Sequence, residues 1–465
     1  MEVPLRQTIN AALILIVFGM LTGCGGGGGG STMPSYTVST SAGTSGSISP
    51  TSATVTANQT TSFTVTPDTG YNIDTVSGCG GSLSGSTYTT GAITADCTVT
   101  ASFIAAPVAA PVIFTDGQAA SVVIGQPDFT SNSIGRTQSL IGGVYGNPDM
   151  VNGALYLGDF GNSRVLGFNA IPSSDGANAD FVLGAPDFTS VGSLSSAQTV
   201  ADYNGALYVT VYGDNRIAVY NTVPTAATSA PSAVTPQTPD FYLTANTVGS
   251  MSSPESLAVG GGKLVVTDSS NNRVLIWNTI PTSDTAPDLV LGQSDFSGAG
   301  INAGGSPSAS TLNYPAGAWT DGTRLVVLDE YNNRVLIWNA FPTSNAQPAD
   351  LVLGQQDFTS VAANQGQVAV PTASTTNDPV DGVTVNGNQL FVTDSGNNRV
   401  LIWNSWPTVN GQAADGVLGQ TDFVSRAGGT TQAIMNYPTG LHLGGTQLIV
   451  GDDANSRYLV FDGHF

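Results

Sequence analysis

Val266-Thr267-Asp268-Ser269-Ser270-Asn271-Asn272-Arg273-Val274-Leu275-Ile276-Trp277-Asn278 is the stretch whose reading decides the fold. Versions of it occur six times. An arginine closes each copy: Arg164, Arg216, Arg273, Arg334, Arg399 and Arg457, at intervals of 52, 57, 61, 65 and 58 residues. The chain holds only 11 lysines and arginines, so more than half of its scarce cations fall at one repeated position. Four residues after each arginine comes an aromatic: Phe168, Tyr220, Trp277, Trp338, Trp403 and Phe461. Five residues before it stands an aspartate in five copies, Asp159, Asp268, Asp329, Asp394 and Asp452, while the second copy has Val211.

This is the pattern of a hairpin. An apolar run such as 263–267 ends at the aspartate, and four residues rich in Asn, Gly and Ser make the turn, because these types tolerate left-handed backbone and bond nearby amides. Residues 273–278 return, placing Asp268 opposite Arg273 as a cross-strand pair. Such a pair is worth about 0.2–1 kcal/mol if exposed and costs more to break if the next sheet covers it. Val274-Leu275-Ile276-Trp277 shows no polar alternation, so both its faces must be covered, as for a sheet between two others. A second motif recurs out of phase: Gly125-Gln126-Pro127-Asp128-Phe129, Gly184-Ala185-Pro186-Asp187-Phe188, Pro239-Asp240-Phe241, Gly292-Gln293-Ser294-Asp295-Phe296, Gly354-Gln355-Gln356-Asp357-Phe358 and Gly419-Gln420-Thr421-Asp422-Phe423. Most copies follow a short apolar strand, which gives each repeat four strands. In the fifth repeat they are expected at 382–385, 389–393, 399–404 and 414–418.

The first copy of the second motif precedes the first arginine hairpin, and none follows the last. The strand at 121–124 should therefore form the outer edge of the last repeat, pairing the two ends of a ring. The expectation is an all-β chain: a six-bladed β-propeller over 120–465, its N-terminal strand closing the last blade, preceded by a small disulfide-linked β domain.

The Asp…Asn-x-Arg-Val pattern resembles the NHL-repeat family of β-propellers. It reads Asp159…Asn162-Ser163-Arg164-Val165, Asp268…Asn271-Asn272-Arg273-Val274, Asp329…Asn332-Asn333-Arg334-Val335, Asp394…Asn397-Asn398-Arg399-Val400 and Asp452…Asn455-Ser456-Arg457-Tyr458, with Asp214-Asn215-Arg216-Ile217 as the degenerate member. The resemblance covers about three quarters of the chain and speaks for fold more than for function. Some related six-bladed propellers are lyases, lactonases or strictosidine-synthase-like enzymes that work with His, Glu or metal-binding Asn and Asp at the channel. This chain lacks the histidine set of the amidating lyases. Its two glutamates beyond the N-terminal segment, Glu255 and Glu330, do not compose a recognisable lactonase set, so no family residue is carried over.

The remaining boundaries are read in chain order. Residues 1–23 form a signal peptide whose apolar core, 11–20, is too short to span a membrane. Leu21-Thr22-Gly23-Cys24 resembles the lipobox of bacterial lipoproteins, which implies lipidation at Cys24, a lipid-anchored envelope protein, and an outer-membrane or cell-surface location, since no Asp follows Cys24. Residues 24–34 carry the Gly-rich tether. The chain has three cysteines; lipidation of one leaves Cys79 and Cys97 as a pair, worth about 2–4 kcal/mol to a domain of this size. Residues 35–103 form that domain, with strands expected at 36–40, 53–56, 62–66, 71–76, 87–90 and 98–103 and turns at 67–70 and 78–85. Its pattern Gly43…Gly46-Ser47-Ile48-Ser49-Pro50, Phe63-Thr64-Val65-Thr66-Pro67, Gly70-Tyr71 resembles the internalin B-repeat-like domains of bacterial surface proteins, which act as spacers. Residues 104–119 are a linker.

A formal charge of -21 with only 9% ionisable residues argues against nucleic acid. With two histidines, His442 and His464, no zinc quartet or Cys–His pair can be assembled; His442 reads as a packed or hydrogen-bonded strand residue. Asp149, Asp202, Glu255, Asp321 and Asp381 lie near the expected starts of innermost strands and are candidate channel or Ca²⁺ ligands. Asp128, Asp187, Asp240, Asp295, Asp357 and Asp422 recur in every repeat and are expected to hold blade geometry. The leading expectation is a non-enzymatic propeller binding an extracellular protein or glycan. Its contact surface would be long loops such as 297–313 and 359–379, on the face opposite the Asn-x-Arg turns. A hydrolase or lyase acting at the channel, with Ca²⁺ as its candidate ion, and a structural envelope protein are the alternatives. Three or more converging acidic side chains on the axis would favour the enzyme.

Overall fold

The computed structural model describes residues 33–68, 71–105, 109–223, 238–245, 249–367 and 370–465. The expected signal peptide, Cys24 and nearly all of the tether lie outside them. The chain divides into two compact units, Met1–Pro107 and Val108–Phe465.

The first unit holds two four-stranded sheets. Ser35–Ala42 pairs antiparallel with Ser52–Thr56 and parallel with Cys97–Ala105, which also pairs with Tyr71–Ser77. The second sheet contains two strands that the sequence reading missed, Gly46–Ser49 and Ser82–Ser84. The latter lies inside the expected turn at 78–85; all three of its residues are exposed, so no apolar alternation marked it. Val38, Phe63, Val65, Tyr88 and Val99 make a small core. The Cys79–Cys97 disulfide ties the chain beside it, with Cα atoms 5.6 Å apart.

The second unit is a six-bladed propeller. Each blade is a four-stranded meander, as in Pro254–Gly260, Lys263–Asp268, Arg273–Trp277 and Leu289–Leu291 of the third blade. The third strands are buried along their whole length in four of the six blades and over all but one residue in the other two, because their two faces pack against different neighbours. In the third blade Val265, Val274 and Ile276 face the fourth blade, whereas Leu264, Val266 and Leu275 face the second. Val122–Ile124 pairs with the sixth blade's third strand, Val123 opposite Leu459, and completes that sheet.

The closure reproduces an internal blade bond for bond. In the third blade Gln293 donates to the Asn272 carbonyl and the Arg273 guanidinium to the Phe296 carbonyl. At the seam Gln126 donates to Ser456 and Arg457 to Phe129. The repeated arginine is thus a buried connector. Arg334 Nε donates to Asp329 Oδ2 at 2.7 Å, both side chains 0% exposed, and its other nitrogens reach Phe358, Ser308 and Thr311 carbonyls. The aspartate in turn accepts from Asn332 and from the Asn313 amide of the loop entering the same blade. The second Asn of the motif occupies left-handed backbone and clips the next blade: Asn272 accepts the Tyr314 amide at 2.9 Å and Asn398 the Tyr437 amide at 2.6 Å. Where Val211 replaces the aspartate, Arg216 turns outward to Asp214 and lies 3.7 Å over the Tyr242 ring.

Two expectations are corrected. Pro239-Asp240-Phe241 is no copy of the second motif: Phe241–Leu243 is itself the outer strand, and Asp240 accepts the Asn221 amide just as Asp288 accepts that of Asn278. It belongs to the position before the outer strand; Asp128, Asp187, Asp295, Asp357 and Asp422 instead cap exposed turns after it. Nor do the long loops lie opposite the Asn-x-Arg turns. In a four-stranded meander the second and fourth strands end on the same side, and Leu291 at the end of the outer strand pairs with Val274 beside the turn. The loops that follow therefore share the turns' face, and Asp329 and Asp394 bind their last residues directly.

Candidate functional site: an acidic, tyrosine-lined channel mouth

On that shared face two repeated positions aim inward. The residue after each repeated aspartate (Val211 in the second blade) opens a short 3-10 turn: Phe160, Tyr212, Ser269, Glu330, Ser395 and Asp453. The serines show its direction, since Ser269 and Ser395 donate at 2.6 Å to the Pro315 and Pro438 carbonyls that begin the next inner strands. In the other blades the same direction brings an aromatic ring or a carboxylate to the axis.

The second position directly precedes the inner strand in the third, fourth and sixth blades and lies just ahead of it in the fifth: Ser253, Tyr314, Asp378 and Tyr437, all with φ between 53° and 60°. Left-handed backbone in a tyrosine costs on the order of 1–3 kcal/mol, and it persists here because the preceding blade's asparagine fixes the amide.

These residues meet across the axis. Tyr314 Oη donates to Glu255 Oε1 at 2.9 Å, and the Tyr212 hydroxyl, two blades away, lies 3.3 Å from it. Tyr437 Oη donates to Asp378 Oδ2 at 2.7 Å. Asp381 Oδ2 reaches from the fifth blade to the Gly146 amide of the first, 3.1 Å away. Tyr331 stacks on Tyr314 with ring centres 4.7 Å apart, and the Tyr145 ring lies against Phe160. Contacts between non-adjacent blades mean that this end of the channel is narrow.

Three carboxyls are withdrawn from water. Glu255, Glu330 and Asp381 are 8%, 6% and 0% exposed. Glu255 Oε2 and Asp381 Oδ1 have no hydrogen-bond partner among the described residues. Burial, then the Asp381 charge, pushes Glu255 well above the usual carboxylate range. Burial, then Glu255, does the same to Glu330. Asp381 is pushed up to about 7 by burial, and Asp453 is raised by burial too. Burial and the neighbouring carboxyls thus favour the protonated forms of Glu255 and Glu330. The hydroxyls of Tyr145, Tyr314 and Tyr437 are held protonated, first by burial and then by neighbouring carboxylates. The mouth thus combines protonated donors with a half-buried carboxylate, Asp378, already engaged by a tyrosine.

The five candidates named from sequence do not form one ring. Glu255 and Asp381 belong to this mouth. Asp149 and Asp202 line a deeper cavity of about 210 Å³ formed by all six inner strands. There Asp149 accepts from the Asp202 amide at 2.7 Å and contacts His442 Nδ1 at 3.0 Å. Asp202 and Asp321 lie near the far ends of their inner strands rather than the starts, and Asp321 caps a turn and pairs with Arg324. Among the described residues no three His, Cys, Asp or Glu side chains converge as a metal cage, and the five candidate channel or Ca²⁺ ligands are not gathered at one point. Sequence reasoning missed Glu330, Asp378, Asp453 and the tyrosines. Their signal was legible: the residue after the repeated aspartate differs from blade to blade while the aspartate is nearly constant.

Comparison with known proteins gives a family match for the first unit alone. Residues 36–107 match the family model of the divergent InlB B-repeat domain. No curated protein matches the chain. Among solved structures, it is similar to virginiamycin B lyase from Staphylococcus aureus at 11% identity and TM-score 0.35, over 68% of this chain and 93% of that one. A catalytically inactive variant of that enzyme with quinupristin gives 12%, 0.36, 68% and 94%. A streptogramin B lyase gives 11%, 0.34, 69% and 94%. Likeness at this distance transfers neither residue nor role.

The leading expectation of a non-enzymatic binding propeller is corrected here. The mouth carries three buried carboxyls, Glu255, Glu330 and Asp381, two of them with an unpartnered oxygen, a feature of acid–base chemistry rather than of a passive binding face. Sequence missed this because Glu255 and Glu330, 75 residues apart, are joined only by ring closure.

Proposed function

We propose that the propeller is an enzyme of the lyase or hydrolase class, acting by proton transfer on a small substrate at the channel mouth. The observation that carries the reading is the set of buried carboxyls with unpartnered oxygens beside tyrosine hydroxyls. An elimination needs a base to take a proton next to an activating group and an acid to protonate the leaving atom. Asp378, oriented by Tyr437, suits the base. Glu255, protonated and joined to Tyr314 and Tyr212, suits the acid, its proton replaced along that chain of hydroxyls. The water-poor surroundings strengthen each contact.

The test is turnover of a panel of lactones, cyclic depsipeptides and hydroxyglycine-type amides, read by mass spectrometry. Elimination that opens a ring leaves the mass unchanged, and hydrolysis adds one water. Asp378→Asn and Glu255→Gln should each lower turnover by about 10²–10⁴-fold. If wild type and both variants match buffer on every substrate, or the variants match an active wild type, the reading is wrong. We further propose that the chain is a lipoprotein of the bacterial envelope, anchored through Cys24. The Leu21-Thr22-Gly23-Cys24 motif, the glycine run behind it and the engagement of Cys79 with Cys97 support this. Metabolic labelling with a fatty acid, lost in Cys24→Ala, tests it.

A further inference from the structure

Four of the five arginines paired with the repeated aspartates complete one further contact in the same way. Nη2 of Arg164 donates to the Thr137 and Leu140 carbonyls, that of Arg334 to Ser308 and Thr311, that of Arg399 to Thr372 and Thr375, and that of Arg457 to Thr431 and Ile434. The acceptors are always the first and fourth carbonyls of a turn that opens on Ser or Thr, whose hydroxyl accepts an amide of the same turn. That turn sits in the loop entering the blade. The loop entering the third blade is too short to carry it: it covers only 244–253, against 292–314 and 354–382 for the fourth and fifth. Among the described residues Arg273 Nη2 therefore reaches one carbonyl, that of Gly249, at 3.5 Å. Its side chain is 3% exposed where the other four are 0%. A cleft of about 450 Å³ opens against it, lined by Gly249, Ser250, Asn271, Phe296 and Ser297. A guanidinium this far from water is stabilised by acceptors, and neutral carbonyls suit it because Asp268 already balances its charge.

The chain spells the missing turn elsewhere. Pro-Ser/Thr-Ala-x-Thr occurs four times: at 307–311 and 371–375, whose turns serve the fourth and fifth blades, and at 224–228 and 231–235. The last two fall between the third and outer strands of the second blade, in a stretch outside the described residues. That connection runs over 221–240, where its counterparts take only 278–288 and 339–350, and 231–235 belongs to the excess. Val219 pairs with Phe241, so the connection is carried at the blade end opposite the turns, whereas the cleft lies on the turns' face. Only 236–240 lead from Thr235 back to the outer strand, too few to round the blade, so another copy of the chain must present the segment.

We propose that residues 231–235 of one copy fill the third-blade cleft of another as its missing turn, the Ser232 and Thr235 carbonyls accepting from Arg273 Nη2. The contact joins two different surfaces and therefore does not stop at a dimer by symmetry.

The experiment is sedimentation velocity of the full chain over a range of concentrations, with fluorescence anisotropy of a labelled peptide of residues 229–237. Wild type should associate as concentration rises, and excess peptide should reverse this. The peptide should bind at least about tenfold more tightly than a scrambled one, the scale of one hydrogen bond to a buried charged group. Ser250→Phe, a bulky side chain at an exposed position of the cleft, should weaken the peptide by a similar factor and abolish association. Deleting 229–236, which trims the connection to about the length of its counterparts, should give a monomer that still binds the peptide as wild type does. Wild type monomeric at every concentration, association that survives either variant, or equal binding of the scrambled peptide would each overturn the proposal.

Discussion

Asp381→Asn isolates the cost of holding a carboxyl at the channel mouth. Asp381 is fully buried, spends one oxygen on the Gly146 amide and leaves the other unpartnered. Its pKa rises from 3.8 to about 7. Between those values the folded chain holds the proton and the unfolded chain has released it. The stabilisation from the raised pKa is therefore complete below the unfolded value and is lost as pH climbs through about 7. At roughly 1.4 kcal/mol per pKa unit the loss is on the order of 4 kcal/mol. The unit spans 358 residues, 108 to 465. At about 2.1 cal/mol/K per residue, that energy moves the melting midpoint by roughly 5 °C. Asparagine can keep the Gly146 bond and cannot ionise. The variant should thus melt about 5 °C above wild type at high pH and within about 1–2 °C of it at pH near 4, by calorimetry in matched buffers. Glu255, Glu330, Asp453 and the neighbouring tyrosines are shifted in both proteins, so the comparison is the difference between the two pH curves. A constant offset at all pH values, or a variant less stable at high pH, would refute the reasoning.

The connectors give a second contrast. Arg334→Ala strands a buried Asp329 and should cost about 3–5 kcal/mol, whereas Arg216→Ala removes a half-exposed pair and should cost about 1 kcal/mol or less; equal midpoints would deny the buried network its role. Ile124→Ala, in the strand that closes the ring, should cost about 2–5 kcal/mol like any interior core residue. A cost below about 1 kcal/mol would mean that the seam is loosely held. Replacing Cys79 and Cys97 by serine should lower the stability of residues 35–105 by about 2–4 kcal/mol, seen as faster amide exchange at Val38, Val65 and Val99. Unchanged exchange would contradict that.

Much of the fold was legible because one interaction repeats. An arginine that must reach its own aspartate and the carbonyls of two loops cannot drift, so its spacing counts the blades, and the unmatched first motif predicted the Val122–Ile124 seam. The misplacement of Asp240 shows the limit: two aspartates, before and after the outer strand, have the same neighbours in sequence and opposite geometric roles. The face of the long loops was misjudged because strand direction was not followed through four strands. The mouth was half legible. Glu255 and Asp381 were named, but Tyr314, Asp378 and Tyr437 are set by left-handed backbone that no composition rule marks, and their neighbours come from other blades. The channel histidine was read correctly as a hydrogen-bonded strand residue.

The central claim is that folding leaves protonated carboxyls at the mouth at neutral pH. Infrared difference spectra of wild type against Glu255→Gln and against Glu330→Gln at pH 7 test it without any substrate. The account predicts that each variant loses a protonated-carboxyl stretching band. Wild type showing only carboxylate bands at that pH would contradict it.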